Sequence, residues 1–263
     1  MAKRRRPTSM KPPFLRRISL LDDVPAETRA RHPLDMPLFR DGFDWEITTP
    51  ITIIVGANGS GKSTLLEAIA AHCGFALTGG TKNVAHRTSE DESLSHALRF
   101  SWFPKVTEGF FFRAETFFSF VDVLDQLARE PYGGSTYESY GGVSMRQRSH
   151  GQSFMAVFEN RFGSQGVYLM DEPEAALSPQ WQIEFLKLLR RLERRGQSQV
   201  IIATHSPMIM AYPSASLLEI SEKGLVPVAF HNTEHFQIAR SFALNPDGFV
   251  AGLIMDADEQ DED

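Results

Sequence analysis

The strongest constraint on this chain is a short run in which three local signals follow one another without a gap. Ile51-Thr52-Ile53-Ile54-Val55 is apolar and rich in β-branched side chains, the composition of a buried strand. It runs straight into Gly56-Ala57-Asn58-Gly59-Ser60-Gly61-Lys62-Ser63-Thr64. Leu65, Leu66, Ile69 and Ala70 then repeat at helical spacing and predict a helix from Lys62 to about His72. The order is strand, glycine-rich turn, helix, and Gly56 to Ser63 match G-x-x-x-x-G-K-[ST] in the context that gives this pattern its meaning. Glycines let the backbone curl so that successive N–H groups face inward at the positive end of a helix dipole, a cradle for phosphates. In such a cradle Lys62 reaches the β- and γ-phosphates of ATP and the Ser63 hydroxyl coordinates Mg²⁺. Chance alone would produce the pattern in about one chain of this length in a hundred.

A second element lies further along. Val167-Tyr168-Leu169-Met170 predicts a buried strand that ends in Asp171-Glu172. An open α/β sheet binds its ligand at the C-terminal ends of its strands, so this strand delivers two acids to the place where a phosphate cradle needs them. Asp171 is expected to hold Mg²⁺ through water, and Glu172 to orient or deprotonate an attacking water. A strand ending in two acids is a weak signal by itself; beside the glycine-rich loop it becomes a candidate site.

The rest of the chain supports a layered α/β architecture. Residues 1–13 are basic and proline-bearing and are expected to form a disordered tail, with order beginning in the extended stretch Phe14 to Leu20. Two short strands fit residues 44–55. The middle, about 75–160, is expected as a smaller lobe, with a strand at Gly109-Phe110-Phe111-Phe112 and a helix-like run from Phe117 to Arg129. Past Ser149 helices alternate with the apolar strands Val167 to Met170 and Val200 to Ala203, further helices starting at Pro179 and Ser206. That alternation predicts a mainly parallel core sheet flanked by helices, one domain over 14–250, followed by an acidic tail over 251–263. There is no internal repeat and no long heptad run, which counts against ATPases built around coiled-coil arms.

Composition narrows the setting. No run approaches the roughly 18 apolar residues of a membrane-spanning helix, so no membrane insertion is expected and a translocation path would need other chains. The basic start lacks a following apolar stretch, so a cytoplasmic location is expected. The single Cys73 falls on the apolar side of a predicted helix and reads as a buried thiol. Net charge is −6, without the positive field of a dedicated DNA-binding domain. The ends differ, however: Lys3, Arg4, Arg5, Arg6, Lys11, Arg16 and Arg17 crowd one, and Asp256, Asp258, Glu259, Asp261, Glu262 and Asp263 the other. Solvated tails explain both runs, with a handle for nucleic acid or an acidic partner as the alternative.

Asp171-Glu172-Pro173-Glu174-Ala175-Ala176-Leu177-Ser178-Pro179 resembles the Walker B and D-loop run of ABC-type ATPases, with Glu174 where transporters usually carry threonine. Ala203-Thr204-His205-Ser206-Pro207 resembles their switch region, with His205 34 residues after Asp171. The resemblance implies that His205 contacts the γ-phosphate. Ser149-His150-Gly151-Gln152 stands where the family has its signature loop, with Arg148 and His150 departing from Leu-Ser-Gly-Gly-Gln. It implies that Ser149, Gly151 and Gln152 reach the nucleotide bound by an opposite subunit. Glu115 is the candidate for the polar residue that senses Mg²⁺ at the end of the middle-lobe strand. Adenine recognition stays unassigned; His32, Phe39 and Phe43 lie in the right stretch, but each also fits packing or a turn.

Over about residues 14–250 the pattern is similar to a stand-alone group of bacterial ATPases often labelled as AAA family, whose marks here include Arg113-Ala114-Glu115 and Thr233-Glu234-His235-Phe236. The last of these has no assigned role beyond a helix start capped by Thr233. The resemblance implies a P-loop fold of the ABC type, ATP and Mg²⁺ as cofactors, a nucleotide-dependent homodimer, and a switch acting on a protein partner, for instance one from a neighbouring gene. Two alternatives stay open: a nucleic-acid-stimulated ATPase in repair or phage defence, and the ATP-binding subunit of a transporter. A nuclease-associated ATPase would carry a further acidic domain after the core, which is not expected here.

Overall fold

The computed structural model of the chain describes residues 9–80, 91–117, 122, 150–162 and 164–261. The fold is organised around three strands that are buried along their whole length: β3 (Ile51–Val55), β6 (Gly166–Asp171) and β7 (Ser198–Ala203). Parallel strands covered on both faces are mostly apolar, and these are, with Thr52, Ser198, Gln199 and the terminal Asp171 as the buried polar residues. With β5 (Gly109–Arg113), β8 (Ser216–Ser221) and β9 (Gly224–Pro227) they form a six-stranded sheet in the order β5-β6-β7-β3-β8-β9. Every pairing in it is parallel except the β8–β9 hairpin.

Two apolar clusters divide the sheet's faces between them. One face packs α3 (Lys62–Cys73) through Leu65, Leu66 and Ile69, together with a three-stranded antiparallel sheet of β2 (Asp44–Glu46), β1 (Leu15–Leu20) and β4 (Leu98–Trp102). The short helices α1 (Ala26–Arg29), α2 (Pro37–Arg40) and α4 (Asp91–Ala97) belong to the segments joining these strands. The opposite face packs α5 (His150–Arg161), α6 (Pro179–Arg195) and α7 (Pro207–Met210) through Phe154, Phe158, Phe185, Leu189 and Ile209. At the end of α3, His72 stacks on Phe100 with ring centroids 4.0 Å apart and accepts a hydrogen bond from Trp102 Nε1 at 3.2 Å. Burial holds this imidazole neutral, its pKa lowered to about 4.

The predicted strands and helices along the core fall where expected, within a residue or two at their ends. The boundaries drawn around them differ more. Pro12 and Pro13 are already buried, so the packed chain begins slightly before Phe14. The middle lobe expected over 75–160 does not stay together: β4 joins the small sheet, whereas β5 and α5 are built into the core. The helix-like run after Phe117 lies outside the described residues apart from Asp122. Residues 251–261, expected as part of an acidic tail, continue α9 (Pro246–Asp261). Asn245 starts that helix, its Oδ1 accepting from the Gly248 backbone N–H at 3.1 Å, and Pro246 begins its first turn. The preceding helix, α8 (Glu234–Leu244), has no buried residue. The pair exposes Ile238, Phe242, Leu244, Leu253, Ile254 and Met255.

One buried side chain fastens the small sheet to the large one. Gln199, fully buried on β7, accepts from the Phe14 and Leu15 backbone N–H groups at 2.8 and 2.9 Å and donates to the Leu15 carbonyl at 3.0 Å. Gln199→Leu keeps much of the volume and strands all three backbone groups away from water. It is expected to lower unfolding free energy by about 2–4 kcal/mol, read from the denaturation midpoint at unchanged m-value. A loss below about 0.5 kcal/mol would mean that these bonds do not seat β1.

Candidate nucleotide-binding site

Between β3 and α3 the backbone turns through Gly56, Gly59 and Gly61 at φ of 150°, 73° and 104°. Gly61 is required: it is left-handed, and a Cβ there would come within 3.2 Å of the Met36 methyl. A Cβ at Gly56 would meet Ser60 Oγ at 3.0 Å and Ile220 Cβ at 3.3 Å. Lys62 opens the helix with its ammonium folded back over the loop, donating to the carbonyls of Gly56 at 2.9 Å and Ala57 at 3.0 Å. Only 5% of the residue is exposed. Burial pulls its pKa below the ordinary lysine value, while Glu172, Asp171 and Glu174 pull it back up. A buried cation held by carbonyl oxygens at a helix N-terminus is the arrangement a polyphosphate would meet.

Ser63, the next residue, links the loop to the second strand. Its hydroxyl donates to Asp171 Oδ1 at 3.0 Å across 108 residues of sequence. Asp171 ends β6, and burial raises its pKa to about 6 against the opposing pull of Arg113 and Ser63. Arg113 stands directly opposite Asp171 in the β5–β6 register, its Nε 3.6 Å from Asp171 Oδ2. The same guanidinium holds Glu67 of α3 at 2.5 Å and Glu115 at 3.4 Å. Glu115 itself is 81% exposed, and its one ion pair among the described residues is to Arg113. The structure therefore brings Ser63 and Asp171 together and sets Glu115 beyond the arginine.

Glu172 follows at φ 50° and ψ 52°, the one non-glycine residue with positive φ among the described residues. Its backbone N–H donates to the Ala203 carbonyl at 2.9 Å, tying the end of β6 to the end of β7. The side chain stays half-exposed, with Oε1 3.6 Å from His205 Nε2. Glu174, in the 3-10 turn Pro173–Ala176, is turned inward. It accepts from Thr204 Oγ1 at 2.7 Å and from the His205 backbone N–H at 2.5 Å. Burial raises its pKa, and these two donors lower it in part. Ser206 extends the network, donating to Gln182 Oε1 at 2.6 Å and capping α7 by accepting from the Ile209 N–H. Ser178, at the start of α6, makes no such capping bond; Gln182 Nε2 donates to the Leu177 carbonyl there.

Of the signature segment, Ser149 lies outside the described residues. Gly151 is buried at the start of α5, so close to Trp181 that a Cβ would stand 2.2 Å from its ring. Gln152 follows on an exposed position of the same helix. Phe39 and Phe43 pack edge to face, centroids 5.2 Å apart, inside the core, and so leave adenine unstacked by either; His32 is exposed beside Asp35.

The donor set fits MgATP. Ser63 Oγ and Asp171 supply two hard oxygens beside the cradle. His205 Nε2 is buried without a hydrogen-bond partner, a polar atom left for a ligand. The sequence names Ser63, Asp171 and His205 for the site, holds Arg113 only as part of the Arg113-Ala114-Glu115 mark, and gives no sign of Glu67; Arg113 meets both Glu67 and Asp171 through strand register and helix packing. The sequence places Glu174 in the right run without its contact to His205. His235 was noticed only as part of an unassigned motif; its Nε2 lies 2.8 Å from His205 Nδ1.

Comparison with known proteins agrees with this geometry. A family model described as "AAA domain" matches residues 38–111, which hold the P-loop. Another, described as "AAA domain, putative AbiEii toxin, Type IV TA system", matches residues 150–211, from the signature helix through His205. The thiamine import ATP-binding protein ThiQ of Ruegeria sp. is 27% identical over 67% of this chain and 79% of its own length. The molybdenum import ATP-binding protein ModC of Methylococcus capsulatus is 27% identical over 90% of this chain and 68% of its own. Among solved structures, the SMC head domain from Thermotoga maritima aligns over 82% of this chain and 99% of its own, at 15% identity and a TM-score of 0.45. Both halves of the nucleotide site thus fall in segments matched by AAA-domain models, and these likenesses together support a P-loop ATPase of the ABC type.

Proposed function

We propose that MgATP closes two copies of this chain head to tail, that hydrolysis reopens them, and that a protein partner uses the motion. The observation that carries this reading is the position of α5. Its C-terminal end leads through a short connection into the start of β6, so α5 runs against the strands and its N-terminus lies towards their C-terminal edge, the edge of the P-loop. Yet α5 packs on one face of the sheet and α3, with the P-loop, on the other. A helix N-terminus that can donate to phosphate but stands across the sheet from its own P-loop is suited to a nucleotide held by another copy. Ser149, Gly151 and Gln152 are the residues that would make this contact.

Within each composite site, Lys62 and the backbone N–H groups of Gly56 to Thr64 bind the phosphates, and Ser63 and Asp171 hold Mg²⁺, with Glu115 acting only at the margin through Arg113. Bound there, Mg²⁺ neutralises charge on the phosphates during transfer. Glu172 orients and deprotonates the attacking water; its half-exposed carboxylate next to His205 suits that role. His205 donates to the γ-phosphate.

The exposed apolar side chains of α8 and α9 support a protein partner, since exposed apolar surface, where it gathers into a patch, marks interaction sites. A transporter subunit is the second reading, favoured by the two import ATP-binding relatives. No helix among the described residues is long and apolar enough to cross a membrane. A nucleic-acid-stimulated ATPase is the third reading; of the basic run it would use, Arg17 is paired with Asp44.

Lys62→Ala removes the cation buried under the phosphates and should weaken ATP binding by about 100-fold or more, measured by titration, with the circular dichroism spectrum unchanged. ATP turnover persisting in the folded variant would exclude the P-loop assignment. Glu172→Gln should lower hydrolysis by about 10²- to 10⁴-fold while ATP binding is retained. With MgATP this variant should run as a dimer in gel filtration, and with ADP as a monomer. Adding Ser149→Arg should abolish the dimer and spare ATP binding, because the added cation faces the nucleotide only on closure. A Glu172→Gln protein still monomeric at saturating MgATP would refute the unaided sandwich.

A further inference from the structure

Outside the residues already given a role, one contact enters the site from an unassigned motif: His235, in Thr233-Glu234-His235-Phe236, places Nε2 2.8 Å from Nδ1 of His205. We infer that His235 is a positioning residue for hydrolysis, donating its Nε2 proton to His205 Nδ1 and so fixing His205 as the tautomer that carries its own proton on Nε2, towards the γ-phosphate. The inference rests on the reading of His205 as a γ-phosphate contact.

The hydrogen-bonding capacity of imidazole determines the direction of the proton. A neutral imidazole has one donor and one acceptor nitrogen, so the bond made by Nδ1 decides which proton Nε2 has. His205 Nε2 is buried, lacks a hydrogen-bond partner, and lies 3.6 Å from Glu172 Oε1. Its surroundings on that side are an acceptor, the carboxylate, and the place where phosphate oxygens would sit. An Nε2 without a proton would point a lone pair at both, which is repulsive. An Nε2 with a proton requires Nδ1 to accept, and then His235 must be the donor. Both rings are kept neutral in the same way: burial lowers the pKa of each, with Lys62 adding to the effect. Two neutral imidazoles in contact can satisfy only one such arrangement at a time, so fixing one fixes the other.

His235 is itself held in place. Thr233 is fully buried and starts α8 by accepting from the Phe236 N–H at 3.3 Å while donating to the Phe230 carbonyl at 2.8 Å. Phe230 and Phe236 pack with ring centroids 4.6 Å apart. His235 therefore leaves the first turn of α8 in a direction set by a cap and an aromatic contact, while the backbone of His205 is set independently by Glu174. The two rings meet, at an interplanar angle of 49°, because two separately anchored backbones place them there. An arrangement in which one residue orients the imidazole that faces the reacting group is a recurring device of active sites, and its loss typically lowers activity by about 10- to 100-fold.

The test compares full-length wild type, His235→Ala, His235→Gln, His205→Ala and the double alanine variant, with circular dichroism as the check on folding. Gln places an amide N–H near the position of the histidine Nε2 proton and should retain the bond. His235→Ala is expected to lower kcat by about 10-fold with little change in KM, and His235→Gln to restore most of it. In the His205→Ala background, His235→Ala should have no further effect. The readout independent of turnover is the tautomer: long-range ¹H–¹⁵N spectra of histidine-labelled protein should show His205 as the Nε2–H form in wild type and His235→Gln, and as a mixture in His235→Ala. An unchanged His205 spectrum in His235→Ala, or a kcat loss equal in both His205 backgrounds, would overturn the positioning role. If His205→Ala hydrolyses ATP at the wild-type rate, the γ-phosphate role of His205 falls instead, and the tautomer spectrum separates that failure from the first.

Discussion

Burial of β3, β6 and β7 on both faces is the constraint from which the rest of the structure follows. A strand covered on both sides can carry almost no unpaired polar chemistry along its length, and these three carry little: Thr52, Ser198 and Gln199 are the buried polar residues before their ends. Functional groups are therefore confined to the residue where each strand stops. Because β6, β7 and β3 are neighbours and parallel, their stopping points lie side by side. Gly56, Asp171-Glu172 and Thr204-His205 become a single site although they are separated by more than a hundred residues in places.

Bringing strand ends together does not by itself fix side chains, and the buried carboxylate of Glu174 supplies part of what is missing. It accepts from Thr204 and from the backbone of His205, so the segment after β6 and the segment after β7 share one acceptor group. Two donors on one carboxyl group fix both of its oxygens, and removing either partner would leave the other unsatisfied in a part-buried setting. Glu172 lies between these two ties in the left-handed region, a conformation that costs about 1–3 kcal/mol for a residue with a side chain and persists only where the surroundings over-determine it. The Glu172 N–H bond to Ala203 on one side and the Glu174 network on the other are those surroundings.

The parts of this architecture legible in the sequence were those coded locally. The glycine loop with its strand and helix, the acidic end of β6 and the histidine after β7 each announce themselves within about ten residues. Thr233 likewise capped its helix as its position suggested. What escaped reading depended on partners far away in the chain. Arg113 meets Asp171 because β5 and β6 pair in one register, and β4 leaves the middle segment to pair with β1, for which no local signal exists. At the acidic end charge dominates the composition and predicts a tail, whereas Asn245-Pro246 and the apolar run through Met255 are the start of a helix. For Phe39 and Phe43 the sequence favours packing over stacking, and both are buried.

The small antiparallel sheet completes the argument by showing what the P-loop needs from outside the core. A glycine-rich turn has little stiffness of its own, since glycine has more backbone freedom than any other residue. Here Met36 and Leu38 pack against Gly61 from the segment preceding β2, and Ile220 closes on Gly56 from β8. The sheet behind Met36 and Leu38 is seated by Gln199, on the same strand whose end presents Thr204 and His205. One strand thus seats the small sheet near its start and carries Thr204 and His205 past its end. Displacement of β7 would loosen both together, which couples the rigidity of the glycine-rich loop to the placement of His205.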